Sequence, residues 1–96
     1  MSGTVPEAGE LESWVNQEVV LDTRGEIIYM GKLVRVLDGF FELVDADVHD
    51  VIIGRTSKEL YIMDARKFGI KKNRQRVLVR RVEVVSLSLL SDVLAY

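Results

Sequence analysis

The chain is predicted to be mainly β. A short N-terminal helix leads into five strands that curl into a small closed or nearly closed barrel, with a short helical insertion between strands three and four. Three observations predict this. Apolar residues at helical spacing (Leu11, Trp14, Val15) give way after Asn16 to β-type runs. Short turns separate those runs, the first at Asp22-Thr23-Arg24-Gly25. A glycine, Gly31, interrupts the longest run, as at the corner of a small barrel. With 96 residues, one domain (1–96) is expected, large enough to bury a core without disulfides.

Taken in order, Thr4-Val5-Pro6-Glu7 has the pattern of a capping box with a first-turn proline, which predicts a helix over Pro6 to Asn16 after a flexible start at 1–5. Trp14 is expected to anchor its packing. Val19-Val20-Leu21 forms the first strand, Ile27 to Leu37 the second, and Phe40 to Ile53 the third. In the third, strict alternation would put Leu43, Asp45, Asp47 and His49 on one face and Glu42, Val44, Ala46 and Val48 on the other. Thr56-Ser57-Lys58-Glu59 is a second capping-box pattern. Leu60, Met63 and Lys67 follow at helical spacing and Gly69 is a stop signal, which predicts a helix over Ser57 to Phe68 inside an insertion spanning 54–75. Arg76 to Val85 and Ser86 to Leu90 read as the last two strands, and 91–96 as a tail.

Composition narrows the function. There is no cysteine, which excludes disulfides and thiolate metal sites. No apolar run approaches the roughly 18 residues of a membrane span, and MSGTVPEAGE has no signal-peptide character, so a cytoplasmic protein without membrane contact is expected. Charge is segregated. Residues 1–22 hold Glu7, Glu10, Glu12, Glu18 and Asp22 and no base; residues 66–81 hold Arg66, Lys67, Lys71, Lys72, Arg74, Arg76, Arg80 and Arg81 and no acid. A basic patch of this kind suits an anionic partner, or the acidic end of another subunit, or simply water. One histidine, no nucleophile elbow and no phosphate-cradling glycine loop argue against an enzyme, and no cofactor is expected. Asp45, Asp47, His49 and Asp50 offer metal-type ligands, but a solvated strand face gives the same pattern, and no metal is expected.

Two motifs resemble those of the Sm-like proteins (Sm, LSm and Hfq). The first runs Val19-Val20-Leu21, then Gly25, Gly31, Leu33, Val34, Val36, Asp38, Phe40 and Leu43, similar to the family segment in which glycines precede D-x-aromatic-x-N-L. The second is Val77-Leu78-Val79-Arg80-Arg81-Val82-Glu83-Val84-Val85-Ser86-Leu87, similar to a strand, an Arg-Gly step and a short final strand. Together they cover roughly residues 7–44 and 76–88. Glu42 stands where the family usually has Asn, and Arg81 where it usually has Gly.

The resemblance implies an open, SH3-like five-stranded barrel that pairs its fifth strand with the fourth strand of a neighbour, closing a homo-oligomeric ring of five to seven subunits. It also implies single-stranded RNA binding at the pore, with the family's roles falling on Asp38, Phe40, Glu42, Arg80 and Arg81. Phe40 would stack on a base, Arg80 would meet a phosphate or a base face, and Asp38 would orient Arg80 or accept from a loop amide. Ionised Glu42 only accepts hydrogen bonds, so it cannot replace Asn at a base edge; an ion pair with Arg81 would compensate both departures. The plainer alternative is a tight turn at Gly39, a phenylalanine in the core and solvated acids. Two other functions compete with RNA binding: a ring-forming scaffold without a nucleotide site, and a monomeric module that binds a protein.

Overall fold

The computed structural model describes residues 8–95. Its elements are α1 (Ala8–Glu12), β1 (Glu18–Thr23), β2 (Ile27–Val36), β3 (Phe40–Asp50), α2 (Val51–Gly54), α3 (Lys58–Phe68), β4 (Arg74–Arg80) and β5 (Val84–Leu89), with 3-10 turns at Arg81–Glu83 and Leu90–Asp92. The strands form one open antiparallel sheet in the order β4-β3-β2-β1-β5. The predicted class, mainly β with an N-terminal helix and a helical insertion, is therefore the observed one. Among the described residues no helix is long and apolar enough to cross a membrane.

Several boundaries differ from expectation, each for a local reason. The expected Thr4 cap and the segment 1–5, expected to be flexible, lie outside the described residues. α1 ends at Glu12 rather than Asn16: Trp14 and Val15 donate to Leu11 and Glu12 three residues back, and Asn16 turns to φ 75° and donates to Leu33 O at 2.6 Å. Trp14 packs on the core as predicted. β3 stops at Asp50, not Ile53, because the Asp50 carboxylate caps α2, accepting from Ile52 N (2.9 Å) and Ile53 N (3.2 Å). In α3 the cap is Ser57, accepting from Leu60 N at 3.1 Å, and Gly69 terminates the helix at φ 94°. Its inward face is Tyr61, Ile62 and Ala65, whereas Leu60 is exposed, so the Leu60–Met63–Lys67 stripe is not the one that packs. The break between the last two strands comes at Arg81–Glu83, earlier than Val85.

Two cores sit on opposite faces of the sheet. One gathers Val19, Leu21, Leu33, Phe41, Leu43, Ala46 and Val79. The other gathers Val20, Ile28, Met30, Ala65 and Leu90, so α3 and the C-terminal turn cover part of the second face. Membership of Leu43 and Ala46 in one core breaks the predicted alternation of β3. Asp45 adopts φ 49°, an extra residue opposite Gly31, and every side chain beyond it changes face. Gly31 behaves as predicted: the register shifts there, and a Cβ would lie 3.0 Å from both Cα and Cβ of Ala46. The bend requires that close approach of β2 and β3.

Candidate nucleic-acid interface

The β2–β3 turn and the step between β4 and β5 meet at one end of the sheet. The hairpin closes with Leu37 N donating to Phe40 O at 2.8 Å, and Arg81 N donates to Gly39 O at 3.0 Å. Antiparallel register places Phe40 opposite Arg80 and Phe41 opposite Val79. Period-two alternation then separates the two phenylalanines: Phe41 is 5% exposed in the core, whereas Phe40 is 37% exposed on the other face. Asp38, Phe40 and Arg80 are all exposed at this end. Asp38 makes neither of its expected contacts among the described residues. Arg81 donates through Nη1 to Leu37 O at 3.0 Å, and its guanidinium lies 5.3 Å from the Phe41 ring centroid. Arg81 therefore braces the turn from behind.

Glu42 corrects the sequence reading twice. It is neither solvated nor paired with Arg81. It is buried, and its two oxygens accept from two other arginines: Oε1 from Arg35 Nε at 2.6 Å and Oε2 from Arg76 Nε at 2.5 Å. The pairing follows from register, since Arg35 sits directly across from Glu42 on β2, and Arg76 lies diagonally on β4 opposite Val44. The hydrogen bond from Arg76, then that from Arg35, hold the Glu42 carboxyl below its ordinary value of 4.5. With both oxygens engaged by arginines and the carboxylate buried, Glu42 offers no donor and little exposed surface to a base edge.

No family model matches this sequence, and no curated protein matches it. Solved structures do. The Pyrococcus abyssii Sm protein, in complex with a uridine heptamer, is similar at a TM-score of 0.60 and 13% identity, over 88% of this chain and 99% of that one. The fold is Sm-like. An Sm-like protein from Archaeoglobus fulgidus gives a TM-score of 0.56 and 20% identity, over 91% and 99% of the two chains.

Within this Sm-like fold, the candidate metal residues have other occupations. Asp47 is buried and accepts from the Tyr61 hydroxyl and from Asn73 Nδ2 (2.9 Å), tying β3 to α3 and to the segment entering β4. His49 stacks on Tyr61, ring centroids 3.5 Å apart, and its Nε2 is buried with no hydrogen-bond partner among the described residues. Asp50 is the α2 cap, and Asp45 is the exposed bulge residue. The sequence reading did not place Arg35 and Arg76 beside Glu42. A hairpin turning at Asp38-Gly39 puts position 35 opposite 42, so Arg35 was legible. Arg76 was not, because its placement depends on the β3–β4 register across the whole insertion.

Proposed function

We propose that this chain is a cytoplasmic, non-enzymatic Sm-like protein that assembles into a ring of five to seven copies and binds single-stranded RNA where Asp38, Phe40, Arg80 and Arg81 converge, with Glu42 organising the arginines beside them. The observation that carries this reading is the exposed Phe40 ring lying directly across the strand pair from the exposed Arg80. An aromatic face next to a guanidinium is what a single-stranded nucleotide needs, a surface for its base and a cation for its phosphate. That the similar Pyrococcus abyssii protein was solved with a uridine heptamer supports uridine-rich RNA as the ligand.

Ring assembly is supported by the two sheet edges. β4 pairs only with β3, and β5 only with β1, among the described residues. An apolar, proline-free edge such as β5 is a template for another strand, and joining it head-to-tail to β4 of a second copy closes a ring. A scaffold ring without a nucleotide site is the second reading, favoured by the occupied carboxylate of Glu42. Titration of labelled oligo(U) and oligo(A), with light scattering on a sizing column, separates them. The RNA reading expects saturable binding at low salt that Phe40→Ala weakens. A ring that binds neither oligonucleotide establishes the scaffold, and a species of about 11 kDa (one chain, 10.9 kDa) rejects the ring.

A further inference from the structure

We propose that Arg35 and Arg76, held by Glu42, form a clamp for a backbone phosphate of the RNA strand, extending the site from the turn onto the face of the sheet. This rests on the RNA-binding reading above.

The geometry favours a clamp over a simple ion pair. Each arginine reaches Glu42 through Nε alone. Among the described residues the terminal nitrogens of both guanidiniums make no hydrogen bond, although the side chains are 61% and 54% exposed. A planar guanidinium whose Nε is engaged still presents its two terminal amino groups, the donor set suited to phosphate oxygens. Glu42 lies almost wholly buried between the two, and both its oxygens are used, so the trio presents a net positive charge rather than a repelling carboxylate. It also holds together two cations that would otherwise repel each other.

The surroundings fit a strand of RNA. Cross-strand rows on this face run Phe40–Arg80, Arg35–Glu42–Leu78 and Lys32–Val44–Arg76. Alternate residues of β3 are about 7 Å apart, so the arginines begin one row beyond the ring offered to a base. Lys32 and Arg80 add exposed positive charge at either end. α3 and the C-terminal turn pack against Val20, Ile28 and Met30, a different part of the sheet, and leave these rows uncovered. This arrangement also accounts for Glu42 at a position where a base-reading Asn is usual: it orients donors for the backbone instead.

The test uses Arg35→Lys and Arg76→Lys in the full chain. Lysine keeps the charge and can satisfy Glu42, but its single ammonium has no second pair of donors on a fork. Each variant is expected to bind oligo(U) about tenfold more weakly, with the slope of log affinity against log salt shallower by about 0.7 per lost phosphate contact. Phe40→Ala is expected to lose affinity at an unchanged slope. A fold-independent arm uses the wild-type protein: the Arg35 and Arg76 Nε–Hε resonances should shift on adding the dinucleotide UpU and stay still with uridine, which lacks phosphate. Wild-type binding with unaltered affinity and slope in both lysine variants, or equal shifts with UpU and uridine, overturns the clamp alone. Absence of oligo(U) binding by the wild type overturns the RNA reading, and the clamp's ligand with it.

Discussion

Replacing Tyr61 by phenylalanine tests how the insertion is held to the barrel. The substitution removes one oxygen and leaves the ring, so the stack on His49 at 3.5 Å and the packing against the second core remain. What is lost is the hydrogen bond from the Tyr61 hydroxyl to Asp47, whose side chain is buried and, among the described residues, keeps only the Asn73 bond on its other oxygen. A hydrogen bond to a charged group contributes about 1.5–3 kcal/mol, and the partner left behind here is buried, which adds its desolvation cost. Tyr61 itself is half-buried, so the lower part of that range applies, about 1.5–2 kcal/mol. For a chain of this size that corresponds to a fall in Tm of about 10 °C. Urea unfolding at one fixed protein concentration reads it directly, since assembly would make stability concentration-dependent. The same bond has an alkaline signature. Burial, then the bond to Asp47, push the Tyr61 phenol well above its ordinary value of 10.0 in the folded chain. The unfolded chain therefore releases the proton first, and stability present below about pH 10 declines as pH rises further. The Tyr61→Phe variant should lack that decline. A loss under about 0.5 kcal/mol, below the range for any buried hydrogen bond, refutes the reasoning.

Two further outcomes follow from the fold. Gly31→Ala should destabilise by about 1–3 kcal/mol, because the new Cβ would lie 3.0 Å from Ala46 Cα and Cβ and 3.1 Å from Val44 O; a lowered urea midpoint with unchanged slope checks it. Glu42 has a folded pKa lowered by its two arginines, so its contribution is present above about pH 4.5 and is lost as pH falls through the folded value; Glu42→Gln should flatten the acid limb of the stability curve, read by circular dichroism.

The fold was legible because its signals are local. The change of period after Asn16, the bulge-forming Gly31 and the stop at Gly69 each act within a few residues, and each recurs in the structure. Two expectations fail, each for its own reason. The phase of β3 changes at Asp45, where a non-glycine residue takes φ 49°, and no residue type announces that. The buried stripe of α3 was misassigned because Ala65, small and only weakly apolar, is what lets the helix lie close to Val20, Ile28 and Met30. At the candidate site Asp38, Phe40, Arg80 and Arg81 stand out in the sequence because they fall within two short motifs. The partners of Glu42 do not. Arg81, its expected mate, is drawn away to Leu37 O and the Phe41 ring, while the true partners come from two other strands.

The most direct measurement is photocrosslinking of a 4-thiouridine-containing oligo(U) to the full chain, with the linked peptide read by mass spectrometry. A crosslink on the peptide carrying Phe40, reduced by Phe40→Ala, is the expected result. Crosslinks confined to the exposed run Lys71–Arg76, or none at all, would contradict it.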